Sequence, residues 1–116
     1  MHLGWLKAAR NSRDGLAHAL RHERSVRQEV VALAAAVVVS PALAETARHA
    51  VLLVSVVALV VIVELLNNAV EAVCNRVTTE RDPLIKIAKD SGSAAVTLTI
   101  LIALAFWIEA LWGAFR

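Results

Sequence analysis

Residues 50–74 read AVLLVSVVALVVIVELLNNAVEAVC, and the change at position 64 decides what kind of protein this is. From Ala50 to Val63 no side chain is charged, whereas from Glu64 onward carboxylates and amides enter a run that stays aliphatic. At about 100° per residue, with Glu64 set at 0°, Asn67 falls at about −60°, Asn68 at about +40°, Glu71 at about −20° and Asn75 at about +20°. All five polar residues therefore share one arc of a helix, about 100° wide, and the rest of that helix is apolar. Glu64 and Glu71 stand two turns apart, about 10 Å along the axis.

Two further apolar stretches flank this one. Val30 to Ala44 is short and holds Ser40 and Pro41 near its end, and Ser91 to Ile108 runs into Trp107, Glu109 and Trp112. A bilayer-spanning helix takes about 20 mostly apolar residues. The last stretch meets that length directly. The middle one meets it once its polar stripe is shielded by protein, and the first by including Gln28 and Glu29 or Glu45 and Thr46. Composition agrees: 59% of the 116 residues are hydrophobic and the mean hydropathy is +0.65. A chain this short has too little interior to bury so much aliphatic surface in water. The expected fold is an all-α membrane protein of one domain.

The basic residues orient it. Lys7, Arg10, Arg13, Arg21, Arg24 and Arg27 precede the first span, and Arg76, Arg81, Lys86 and Lys89 lie between the second and third. Only Arg48 and Arg116 fall on the other side, so the positive-inside rule puts the amino terminus in the cytoplasm and the carboxyl terminus outside. Trp107 and Trp112 then suit the outer interfacial belt. A basic leader followed by Ala42-Leu43-Ala44 imitates a secretory signal, but the leader is long and carries Asp14, Glu23 and Glu29.

Within that leader Trp5, Ala9, Leu16 and Leu20 share one helical face, opposite Lys7, Arg10, Asp14, His18 and Arg21. The pattern predicts a helix lying along the membrane surface. Arg13 and Arg24 project from its apolar side, and Gly15 allows a bend. A net charge of +2 without interleaved aromatics gives no nucleic-acid signature. The single cysteine, Cys74, reads as a small buried side chain, and His2, His18, His22 and His49, lacking ligand spacing, as surface residues.

A carboxylate in a membrane helix costs a few kcal/mol. Amides on such a stripe commonly hold helices together, but neither glutamate has a basic partner within its span. Chemistry is the better explanation. A carboxylate in an apolar setting suits a general base, and one nearer the rim suits Mg²⁺, which is held by one or two carboxylates plus substrate phosphates. The deeper Glu64 is thus assigned as base and the shallower Glu71 as metal ligand. The loop from Arg76 to Asp90 mixes both signs of charge, either as a solvated face or as a nucleotide cradle with Lys89 toward phosphates. No Walker-type or protein-kinase glycine loop and no CxxC or HExxH pattern is present in the sequence.

The motifs ELLNNAVEA (64–72) and AKDSGSAA (88–95), with KAA (7–9) and ERSVRQE (23–29), resemble the bacterial diacylglycerol kinase family over essentially the whole chain. The resemblance implies a homotrimer of subunits, each with three transmembrane helices (about residues 28–46, 50–74 and 91–112) and an amphipathic surface helix (about 3–25). It implies an enzyme of the bacterial inner membrane that transfers the γ-phosphate of MgATP to diacylglycerol at sites shared between protomers. By matching position, Glu64 is the base and Glu23 and Glu71 bind the metal. The nucleotide positions are Asn11, Glu23, Glu71, Glu80, Arg81, Asp82, Lys89 and Asp90. The lipid positions are Ala8, Ala9, Arg27, Gln28, Glu29, Glu64, Ser93, Trp107 and Trp112, with Asn67 and Asn68 in support. Gly4, Arg13 and Asn75 depart from the family pattern, where a basic residue, an aromatic and an aspartate are usual. Undecaprenol is the alternative acceptor within the family. A proton-coupled transporter, a different class, is disfavoured by three spans without an inverted repeat.

Overall fold

The structure, a computed structural model that describes residues 4–116, is built from α1 (Gly4–His22), α2 (Arg24–Leu43), α3 (Ala47–Val77) and α4 (Pro83–Ala114). Leu3, the expected start of the leading helix, and His2, expected at the surface, lie outside the described residues. The last three helices are each long and apolar enough to cross a membrane. At 31 and 32 residues, α3 and α4 measure about 46 and 48 Å, against about 30 Å of bilayer hydrocarbon. The C-terminal end of α3 and the N-terminal end of α4 therefore project beyond the expected spans.

Local chemistry fixes each boundary. α1 runs unbroken through Gly15 and stops at His22, because Glu23 is extended (φ −115, ψ 108). The guanidinium of Arg27 reaches back across this joint, and its Nη1 donates to the carbonyls of Leu20 (3.1 Å) and Arg21 (3.0 Å). Those carbonyls would otherwise lack partners at the helix end, where a cation is also favoured by the helix dipole. α3 is capped by Thr46, whose Oγ1 accepts from the His49 amide at 3.0 Å. α4 starts earlier than the third span: Asp82 Oδ1 accepts from the amides of Leu84 (2.9 Å) and Ile85 (3.2 Å), with Pro83 in the first turn.

α3 is the centre of the bundle. It packs along α2 on one side and α4 on the other, while α2 and α4 touch little and α1 packs mainly on α2. The buried residues of α3 are Leu53, Val56, Val60, Val61, Glu64, Asn67 and Cys74, and the seam through Leu53, Val56, Val60, Glu64 and Asn67 recurs every three or four positions. The polar stripe is thus the continuation of the apolar seam that holds the helices together. Around Val56, Val60 and Ala103 the seam is closed by Val57 and Trp107. Elsewhere large side chains such as Val38, Ile62, Leu98 and Ile108 face outward, as a lipid-facing or helix-facing surface requires.

Trp107 is not simply an interfacial residue. It is half-buried against the seam, and its indole Nε1 donates to the Leu53 carbonyl at 3.0 Å, tying α4 to α3. Removing that donor with Trp107→Phe is expected to cost about 1 kcal/mol. Trp112→Phe, at a residue 71% exposed, should be neutral within about 0.5 kcal/mol. Thermal unfolding in detergent micelles reads both, and equal shifts would leave the Nε1 bond without a stabilising role.

Candidate active site

The site is organised by one face of α3. Glu64 is only 7% exposed and Asn67 only 9%, whereas Glu71, one turn beyond Asn67, is open. Asn67 Nδ2 donates to Glu71 Oε1 at 3.4 Å, which holds one oxygen of that carboxylate. Across the α2–α3 packing, the carboxyl of Glu29 lies against that of Glu64. Buried polar atoms without a partner cluster here: Glu29 Oε1, Asn67 Oδ1 and Asn68 Nδ2. Such atoms are costly to leave unmatched. A hydroxyl reaching this pair would find an unmatched acceptor in Glu29 Oε1.

Toward the loop, α4 contributes cations in unequal states. Lys86 Nζ lies 2.6 Å from Asp90 Oδ2, an ion pair one turn apart. Lys89 Nζ instead donates to the neutral Asn75 Oδ1 at 2.7 Å, and forms no ion pair among the described residues. Its charge is fixed in place without being cancelled, the state in which an ammonium best attracts phosphate. Asp82 is occupied as the cap of α4, and Glu80 and Arg81 are exposed on the short connection to it.

Not every expected site residue joins this cluster. Ala8, Ala9 and Asn11 are exposed on α1, and Glu23 is half-buried at the α1–α2 joint. Arg27 is engaged with α1, Gln28 and Ser93 are exposed, and Trp112 stands near the far end of α4. Trp107 reaches α3 at Leu53, about 16 Å along the helix from Glu64. A groove of about 420 Å³ connects these ends, lined by Glu29 at one limit, Ala32, Ala36, Val60 and Ala103 between, and Trp107 at the other. Its walls are apolar apart from Glu29.

Among the described residues no three His, Cys, Asp or Glu side chains converge as a metal cage. Magnesium needs none, since phosphates and water complete its shell around one or two carboxylates. Glu71, exposed with one oxygen steadied by Asn67, and the half-buried Glu23 are hard oxygen donors that fit such an ion.

Spacing alone left two of these contacts unseen. The Glu29–Glu64 and Lys89–Asn75 pairs depend on how helices pack, which the sequence does not encode locally. The Asp82–Pro83 pair, by contrast, is a recognisable helix-start signal. His49, read as a surface residue, is partly buried, and its Nδ1 accepts from the Glu45 amide at 3.2 Å.

A family model for prokaryotic diacylglycerol kinase matches residues 10–111. The diacylglycerol kinase of Escherichia coli (strain K12) is 46% identical over 110 residues, covering 95% of this chain and 90% of that one. The Pseudomonas aeruginosa diacylglycerol kinase is 38% identical over 108 residues, with 93% and 88% covered. That of Haemophilus influenzae is 36% identical over 102 residues, with 88% and 86% covered.

Proposed function

This chain belongs to the prokaryotic diacylglycerol kinase family, and from that premise we propose that it phosphorylates diacylglycerol to phosphatidic acid, with MgATP as donor. The observation that carries the reading is the α3 face: buried Glu64, Asn67 beside it, and open Glu71 at the end of the same stripe. Glu64 takes the proton of the acceptor hydroxyl as the hydroxyl oxygen bonds to the γ-phosphorus. The bond from that phosphorus to the β–γ bridging oxygen breaks, and ADP leaves with its electron pair. Positioning and electrostatics supply most of the acceleration in phosphoryl transfer.

Each residue has a task in this scheme. Glu71 and Glu23 hold Mg²⁺, which when bound to the phosphates neutralises part of their charge. Lys89 draws the nucleotide toward the α3–α4 connection, with Asn11, Glu80, Arg81, Asp82 and Asp90 around it. Glu29 faces the acceptor hydroxyl from α2, and the apolar groove from Glu29 to Trp107 suits an acyl chain. Arg27, Gln28, Ser93, Ala8, Ala9 and Trp112 complete the lipid surface.

In a single chain α1 packs mainly on α2, and its Ala8, Ala9 and Asn11 are exposed. This supports a homotrimer in which neighbouring subunits complete each site. The basic-residue pattern supports an inner-membrane orientation, with α1 on the cytoplasmic surface and the carboxyl terminus outside.

Purified protein in mixed micelles with MgATP should convert diacylglycerol to phosphatidic acid. Undecaprenol run in parallel identifies the preferred acceptor. Absence of transfer to either alcohol would remove the kinase reading.

A further inference from the structure

We propose that Gly92 is a positioning residue of the site: the space left by its missing side chain is the slot that seats Asn67 against Glu71. The inference rests on the kinase reading for its kinetic consequence, though not for its geometry. Four glycines occur in the chain, and at Gly4, Gly15 and Gly113 an added Cβ would meet nothing within 4 Å. At Gly92 it would collide with Asn67 Oδ1 and lie 3.2 Å from Asn67 Cγ. Glycine is among the poorest helix formers, yet α4 runs straight through this position. A close approach between helices is what requires it there.

The atom in the way is the end of a side chain, so the collision could be relieved by turning the amide. Asn67 has little freedom to turn. It is nine-tenths buried, and helical side chains are confined to a few rotamers. Its present rotamer is the one that points Nδ2 at Glu71 Oε1. Moving Oδ1 away from α4 takes Nδ2 with it, because both atoms belong to one planar group. A methyl group at position 92 therefore acts on Glu71 through Asn67, without touching Glu71 itself. The same geometry names its own relief. The Asn67 Cβ would lie 3.8 Å from a Cβ at position 92, which is ordinary contact, so Asn67→Ala empties the slot.

The test compares Gly92→Ala, Asn67→Ala, the double variant and the control Gly15→Ala in micelles. In ¹⁵N-labelled protein free of metal and nucleotide, the Asn67 side-chain amide should show slowed exchange in the parent and in Gly15→Ala. In Gly92→Ala it should exchange as a solvent-exposed amide. In the kinase assay, Gly92→Ala should raise the Mg²⁺ concentration for half-maximal rate by about 10-fold or more, the scale of losing a side chain that steadies a metal ligand. Adding Gly92→Ala to Asn67→Ala should change nothing further. An unchanged Asn67 amide in Gly92→Ala would overturn the proposal, as would equal penalties with and without Asn67. Should Gly92→Ala alone fail to fold, the double variant should recover folded protein, and failure to do so counts equally against it. If the parent transfers no phosphate, the kinase reading falls while the amide exchange still decides the Gly92–Asn67 contact.

Discussion

Glu64→Gln is expected to reduce phosphate transfer to diacylglycerol by about 10²- to 10⁴-fold, the range for losing a general base, with the fold intact. The substitution keeps the shape of a side chain that is 7% exposed, so no cavity opens in α3. It also replaces one of two facing carboxyls by an amide that can donate to Glu29, its neighbour across the helix interface. Thermal stability should hold or rise as the rate collapses. That opposite movement separates a catalytic loss from a structural one. Initial rates at saturating MgATP and lipid, read beside circular dichroism and size-exclusion profiles, measure both quantities. Full activity in Glu64→Gln would sink the assignment of the base, and raising Mg²⁺ should not restore the lost rate.

Glu71→Gln should fail differently. Its exposed carboxylate is replaced by a neutral amide, a far weaker ligand for a hard cation. Outer-shell partners alone are worth about 10- to 100-fold in metal affinity, so removing a ligand itself should weaken Mg²⁺ activation by at least ~100-fold. The rate measured at a few millimolar Mg²⁺ falls accordingly and recovers in part as Mg²⁺ is raised. Half-saturation for lipid should move little, because Glu71 lies beyond Asn67 from the Glu29–Glu64 pair. An Mg²⁺ titration that superimposes on the parent's would exclude Glu71 as a ligand. The two variants together test whether depth along one helix separates the roles of two identical functional groups.

Much of this architecture is legible in local sequence because membrane helices are governed by local rules. The run from Ala50 to Val63 and the 64, 67, 68, 71 spacing require only hydropathy and helical period to be read. The start of α4 at Pro83 was equally local, but the third span was read from hydropathy, which is blind to helix that continues into water. The end of α1 was harder. It is set by Arg27 reaching back to Leu20 and Arg21 across an extended Glu23, a geometry no periodicity announces. The contacts that assemble the site join residues on different helices: Glu29 to Glu64, Asn75 to Lys89, Asn67 to Gly92. Their pairing follows from the rotation of each helix about its axis. Trp107 illustrates the same limit, since a belt residue by composition is a tether between helices by packing.

The length of α3 has a consequence for how the site meets its surroundings. Counted from Ala50, Glu64 lies about 21 Å along the helix and Glu71 about 32 Å, against about 30 Å of hydrocarbon. With the hydrocarbon beginning at Ala50, the shallow carboxylate would stand where oil gives way to water, and the deep one would remain inside under any modest variation. In a bilayer thicker by a few Å, hydrophobic mismatch draws the Glu71 end inward, or tilts the helix to keep it out. In the proposed mechanism, membrane thickness would therefore act on the water-side half of the reaction first and leave the hydroxyl-side half insulated.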